Sequence, residues 1–471
     1  MKEFHPGWSS LKSLVTEEFV QAAEEGKDPA ALAILRQALE AAGDHTPALE
    51  RLHEELLALP LRPDFPFQEP SGLEEIRQLR DLSRAPHLEA RAADDRLLDQ
   101  LHGAWLGRCA GCALGKPVEG FMGAHGKLAS WERQKTFLTA ISSAEWPLKD
   151  YFPQHSPAET ETGKTGCYDS TREQISFMET DDDIRYTVLG QMILRKHGLN
   201  FTTWNIAQAW INHLPYRQVC TAETQAYRNL VILGGFHTRN DPDGPYEAAD
   251  WEWAVHHLNP YREWIGAQIR VDSYGYAAPG DPELAAELAW RDARLSHVKN
   301  GIYGAMFCAA MIAASFATRD PLEIVEAGLA QIPATSRLHA EMRQVITICQ
   351  EHGGEYSAFE QILINIYGLL GRYHPVHTNN NAALCVFALL LSKGDFHQGI
   401  TLAVMGGWDS DCNGATVGSI VGAITGGKAA PPHWTGRLHD TLRSAIPEYH
   451  PISIAECARR SWEIIRQARQ G

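Results

Sequence analysis

The chain has 471 residues, enough to bury a large core and to form two or three domains, and its 44% hydrophobic and 21% charged residues are ordinary for a globular protein. A formal charge of −16 speaks against a nucleic-acid surface, where a basic patch is expected. Nine cysteines without regular spacing, no basic-then-apolar leader after Met1, and an apolar stretch over 301–317 shorter than the ~20 residues of a span predict a cytoplasmic protein with reduced thiols and no membrane segment.

In chain order, residues 1–59 read as helices. Asp28-Pro29 offers an N-cap followed by proline at the first helical position, and the run Ala31–Ala42 stops at Gly43. Thr46-Pro47 opens a further helix through Leu57, Pro60 to Pro70 is a proline-rich linker, and a helix over Leu73–Leu82 leads toward the main body. Residues 1–95 are expected to form an N-terminal helical extension and 96–471 one domain. That domain opens with a helix over His102–Leu114, which exits through Gly115-Lys116-Pro117-Val118-Glu119. Residues 120–175, rich in Gly, Ser, Thr and Pro, predict loops framing a pocket. Thr180 to Asp183 caps a helix reaching Lys196, with Ile184, Val188, Leu189, Met192 and Ile193 at helical spacing. Residues 201–235 read as mostly helical, and in the aromatic- and Arg-rich segment 251–280, Arg262, Arg270, Tyr274 and Tyr276 suit ligand contact and packing equally. Helices are then expected over Pro282–Arg294, Gly301–Ala317, Pro321–Ala330, Leu338–Glu351, Tyr356–Leu370, Ala382–Ser392 and Phe396–Met405. No alternating strand pattern and no repeat is found, so the fold class is all-α.

Three stretches carry small residues at every fourth position: Gly103, Gly107, Gly111 and Gly115; Gly301, Ala305, Ala309, Ala313 and Ala317; and Gly414, Gly418, Gly422 and Gly426. On a helix each set forms one ridge. A helical glycine costs roughly 1 kcal/mol against alanine, so the glycine ridges predict a neighbouring backbone at close range. Together the three predict the inner wall of one core. Polar groups flank them: Glu119 after the first, Ser296-His297 before the second, and Asp409 and Asp411 before the third, while Thr180-Asp181-Asp182-Asp183 heads a fourth helix. These ends are expected to converge on one pocket. One carboxylate per helix start is N-capping. Three in a row, and two in the turn Gly406-Gly407-Trp408-Asp409-Ser410-Asp411, exceed what capping needs. Like charges buried together call for a cation, and Asp carboxylates with the Thr180 hydroxyl suit Mg²⁺ or Mn²⁺. Asp181, Asp182, Asp409 and Asp411 suffice for two ions ~3.5–4 Å apart. Cys109-Ala110-Gly111-Cys112 lies within the first glycine helix and reads as packing rather than half a zinc site.

Gly103 to Glu119, Thr180-Asp181-Asp182, Ser296-His297 with its helix, and Gly406 to Ala415 are the pieces, in this order over roughly 98–430, by which the chain resembles the ADP-ribosylglycohydrolase family. The resemblance implies an orthogonal helical bundle with a binuclear Mg²⁺ or Mn²⁺ centre ligated by Thr180, Asp181, Asp182, Asp409 and Asp411. It implies cleavage of an N- or O-glycosidic bond at C1 of a ribose, with ADP-ribose released from a modified protein side chain or a small molecule. Glu119 matches the family's acidic residue beside the metals and is the expected proton carrier, and Asp182 and Asp411 are expected to stabilise the oxocarbenium-like transition state. His297 matches a residue lining the ADP-ribose cleft. Ser296 stands beside it, and Asn300 and Gly301 would offer a helix N-terminus to a phosphate. Gly407 and Asn413, in the turn, complete the expected substrate-binding set. The family has Asp where this chain has Cys112, and a metal-binding Thr where it has Cys412; a thiol is a poor Mg²⁺ ligand, so a weaker second ion is expected. The inserted Trp408 and a long segment over 240–290 mark a divergent branch. A same-fold hydrolase of a free nucleoside or other ribosylated metabolite, and an inactive ADP-ribose-binding or structural protein, are the competing readings. The oligomeric state is not readable.

Overall fold

A computed structural model describes residues 7–88, 94–233 and 248–470; the extreme N-terminus, the end of the 201–235 stretch and the start of the long 240–290 segment lie outside these. The described residues are predominantly helical, and the all-α expectation holds. One departure is a pair of two-residue antiparallel strands, Thr441–Leu442 and Ile452–Ser453, too short for an alternating pattern to register in sequence. Asp440 pins them by accepting from Ser453 Oγ and Ala455 N. No described helix is long and apolar enough to cross a membrane.

Helices α1 (Leu11–Glu24), α2 (Pro29–Ala42) and α3 (Thr46–Ala58) pack around a hydrophobic cluster of their own that includes Val15, Phe19, Leu49, Leu52 and Leu56. Asp28 caps α2 as its sequence predicts, with Oδ1 accepting from Ala30 N at 2.8 Å and Ala31 N at 2.9 Å. Helix α4 (Leu73–Gln78) stops short of the expected Leu82, because the backbone turns away to pair with residues 333–334: Ala334 N donates to Leu79 O at 2.9 Å.

The body is organised by α5 (Asp94–Gly115), α6 (Asp182–His197), α7 (Lys299–Ala314), α8 (Thr378–Ser392), α9 (Phe396–Met405), α10 (Ser410–Thr425) and α11 (Ile454–Ala468). The two glycine ridges face each other. A Cβ on Gly103 would fall on Gly422 O, one on Gly107 on Gly418 O, and one on Gly111 on Gly414 O, so no side chain fits between α5 and α10. Their backbones touch along about three turns, which is the close approach that offsets the glycine cost. The third small-residue stripe lies in the same core and touches α10, but it takes no part in the backbone-on-backbone contact. Helix α7 packs chiefly against the helix Pro282–Ala293, where small side chains let two neighbours crowd in, and a Cβ on Gly275 would meet Ile312 and Ala309 O. The segment 120–175 is also more regular than expected. It contains the helix Ser130–Thr139, which buries Trp131, Phe137 and Leu138, and Glu132 accepts from Ala129 N at 2.8 Å at its start.

Candidate functional site

The antiparallel lock of α5 on α10 places the exit of one helix against the start of the other. Gly115 lies on the backbone of Ser410 and Asp411, and Ser410 Oγ donates to Gly115 O at 3.0 Å. The chain leaving α5 therefore carries Lys116 and Glu119 past Asp409 and Asp411. The turn before α10 is held in an unusual backbone state. Gly407 has φ +81° and Trp408 φ +48°, a left-handed value that a tryptophan rarely adopts. Three contacts hold Trp408 there: its N donates to Ser130 Oγ at 2.9 Å, its ring stacks on Tyr367 at 4.1 Å, and the Asp409 N that follows donates to Asn381 Oδ1 at 3.1 Å. Asn413 Nδ2 donates to the same Asn381 oxygen at 2.8 Å. Gly407 and Asn413 are thus both built into the turn, with a Cβ on Gly407 striking Ser130 Oγ and Trp131 N.

The second acidic group arrives on α6, and its three consecutive aspartates divide the work. Asp181 is the N-cap, accepting from Asp183 N at 2.9 Å. Asp183 points inward, where Arg108 Nη2 donates to its Oδ1 at 3.3 Å and the Cys412 thiol to its Oδ2 at 3.1 Å. Asp182 is half-buried, as are Thr180, Glu179 and Glu119, and these four form the exposed side of the cluster. Thr180 Oγ1 also accepts from Arg185 Nη2 at 3.4 Å.

Asp411 is 2% exposed and its Oδ1 has no hydrogen-bond partner among the described residues. Donor atoms of Cys112, Asp181, Asp183 and Asp411 lie within 4.8 Å of one another, and so do those of Asp409, Asp411 and Cys412. Both glycine-helix cysteines pack in the core as expected, and the Cys112 sulfur also lies near the aspartates. Crowding shows in the acidities. Burial, with Asp181 adding to it, pushes Asp411 up to about 7. Burial and then Asp411 raise Asp409 well above the usual range, and Asp411 followed by burial does the same to Glu119. Burial and Asp181 raise Asp182. Asp181 alone is lowered: burial opposes ionisation, but the ammonium of Lys116 sits on its Oδ2. An orphaned buried carboxylate oxygen among further carboxylates fits a hard divalent cation, with the Cys112 and Cys412 sulfurs the poor donors of the set.

Three of the four expected helix ends meet here, and the fourth does not. Ser296, His297 and Asn300 are buried, and their hydrogen bonds run elsewhere: Ser296 Oγ accepts from Arg270 Nη2 at 2.9 Å and bonds His297 Nδ1 at 2.8 Å, while Asn300 Nδ2 donates to Glu69 at 2.9 Å. Gly301 abuts Arg262 O, so its start of α7 is covered by protein rather than open to a phosphate. Arg262, Arg270, Tyr274 and Tyr276 are likewise interior, the last three bonding Asp292 and Ser419. Sequence reasoning missed Asn381, whose only signal was the run Asn379-Asn380-Asn381 at a helix start, and gave no role to Lys116 or to the Arg108–Asp183 pair.

A family model described as ADP-ribosylglycohydrolase matches residues 93–467. Among solved structures, the chain is similar to one described as an ADP-ribosylglycohydrolase-related protein complex, at 19% identity and a TM-score of 0.47, over 79% of this chain and 99% of that one. No curated protein matches the sequence. The match over 93–467 takes in both glycine helices and every residue of the acidic cluster, and the chain belongs to the ADP-ribosylglycohydrolase family.

Proposed function

We propose that this glycosidic-bond hydrolase uses Mg²⁺ or Mn²⁺ to cleave a ribosyl bond, N- or O-linked, releasing ADP-ribose from a modified protein side chain or small molecule. The observation that carries the reading is the convergence of Glu119, Asp181, Asp182, Asp409 and Asp411, with one Asp411 oxygen buried and unpartnered. Thr180, Asp181, Asp182, Asp409 and Asp411 are the residues that would hold metal, with two ions the family expectation. When bound, the metal supplies Lewis acidity and a template for the ribose hydroxyls. The protein's own groups supply the rest. Glu119, half-buried at the opening and held well above the usual carboxylate range by Asp411 and then by burial, would take a proton from the water that attacks C1. Asp182 and Asp411 present negative charge to the oxocarbenium-like transition state. The same reading divides the chain into an extension, 1–95, and a catalytic domain, 96–471, which the separate hydrophobic cluster of α1–α3 supports.

Calorimetric titration of Mg²⁺- or Mn²⁺-loaded protein with ADP-ribose, beside an Asp181→Ala, Asp409→Ala double variant, tests this. Binding that requires both metal and aspartates is the expected result. Metal binding without ADP-ribose binding would move the substrate to small ribosides, and binding of neither would sink the hydrolase reading.

A further inference from the structure

The two halves of the acidic cluster are not equivalent. Both oxygens of Asp181 are taken, Oδ1 by the Asp183 N–H at 2.9 Å and Oδ2 by Lys116 Nζ. Asp411, opposite, keeps Oδ1 without a partner. Lys116 is only 8% exposed, an uncommon state for a lysine unless it is paired. Its backbone is fixed on both sides: Gly115 O accepts from Ser410 Oγ at 3.0 Å, and Pro117 O accepts from Gly166 N at 2.8 Å. Its ammonium pairs with Asp181 on the side of the cluster where ligand atoms of Cys112, Asp181, Asp183 and Asp411 lie within 4.8 Å of one another. A lysine ammonium is a compact point charge on a long stem, well suited to replace an ion at such a place.

We propose that Lys116 is a built-in counter-cation that fills the Asp181 side of the cluster, so that the protein holds one divalent ion, on the Asp409–Asp411 side, instead of two. The inference rests on reading the acidic cluster as a cation site. It also accounts for Cys112, a poor ligand for a hard cation that stands with Asp181 on the side Lys116 fills. With a lysine supplying one positive charge, fewer oxygen donors are needed.

Titration of the full-length protein with Mn²⁺, followed by calorimetry and electron paramagnetic resonance, tests this without using activity. Wild type is expected to bind one ion per chain with the six-line spectrum of an isolated Mn²⁺. Lys116→Met is expected to take up a second ion, with the six lines giving way to an exchange-coupled spectrum, whereas Lys116→Arg stays at one. Two coupled ions in wild type, or a Lys116→Met protein that stays at one, would overturn the inference while leaving the cation site standing. No Mn²⁺ in either protein would overturn both. If Lys116→Met does not fold, the wild-type count decides alone: one ion upholds the inference and two refute it.

Discussion

Two clusters of buried charge in the molecule differ in their balance of sign. Where the N-terminal helices meet the body, Glu18, Glu25, Glu69 and Glu263 surround Arg262, Arg337 and Lys299. Arg262 forks onto Glu18 at 2.7 and 2.8 Å and reaches Glu25 at 3.0 Å, while Arg337 grips Glu69 and Glu263 at 2.7 and 2.8 Å. In the site, five carboxylates surround the single ammonium of Lys116. Burial acts against ionisation in both places, and in the first it still raises Glu18 despite the Arg262 fork, so the contrast shows where a cation outweighs burial. Glu263, against its burial, is held at about 2 by Arg337; Asp411 is pushed up to about 7. A buried cluster with nearly matched charge, four carboxylates to three cations here, is joinery. One with surplus charge of one sign is a binding site for the other sign.

The largest test of this contrast is to remove a cation from the matched cluster. Arg337→Met strands Glu69 and Glu263 without their guanidinium, and breaking a buried pair from one side costs about 3–5 kcal/mol. Urea denaturation is expected to show that loss, and limited proteolysis to cut first within residues 60–70, because Glu69 anchors that linker to the body. In the site the sign reverses. Asp411→Asn removes one of the surplus charges, and in metal-free protein at pH 8 it is expected to raise stability on the order of 1–3 kcal/mol, each relieved unit of pKa being worth about 1.4 kcal/mol. Thermal unfolding with EDTA present measures it. An Asp411→Asn protein less stable than wild type under those conditions would mean that the cluster is structural after all.

How far each cluster was legible in sequence follows from the same contrast. The acidic residues of the site stand in short local patterns, Asp181-Asp182-Asp183 and Asp409-Ser410-Asp411, at helix starts that glycine spacing and capping make visible. The facing of α5 on α10 was legible for a related reason, since glycine at every fourth position has few other uses in a helix. The matched cluster was invisible, because Glu18 and Arg262, or Glu69 and Arg337, are far apart in the chain and each looks like a surface residue alone. That is also why Ser296, His297 and Asn300 were misplaced. Their helix start reads as open until Glu69, from the linker, is seen to cover it. Lys116 was in plain view beside Glu119, but its burial depends on Ser410 and Asp181 closing over it, which no local pattern reports.

A smaller and pH-dependent effect sharpens the comparison at the matched cluster's edge. His53 on α3 is buried, accepts from Leu258 N at 3.2 Å, and faces Arg262, His256 and His257 as well as Glu18. Burial first, then those cationic neighbours, lower it from 6.5 to about 3. The folded protein therefore keeps it neutral while the unfolded chain takes up a proton below pH 6.5. Its contribution is complete above pH 6.5 and is lost progressively as pH falls toward 3. Between pH 7 and pH 5 the loss is up to roughly 2 kcal/mol, and His53→Gln should flatten that part of the stability curve.

The smallest expected effect is the control on which the contrast depends. Lys12 and Asp44 also join two N-terminal segments, at 3.1 Å, a distance like those in the buried clusters, but they are 52% and 88% exposed. If proximity alone set the strength of these pairs, Lys12→Ala would approach Arg337→Met. Burial sets it instead. Water already solvates both partners, so breaking the pair strands nothing, and exposed pairs contribute about 0–1 kcal/mol. Lys12→Ala is expected to shift the urea midpoint of the N-terminal region by no more than that, with the small effect vanishing in high salt. A loss as large as that of Arg337→Met would mean that the number of contacts, and not their desolvation, holds the N-terminal helices in place.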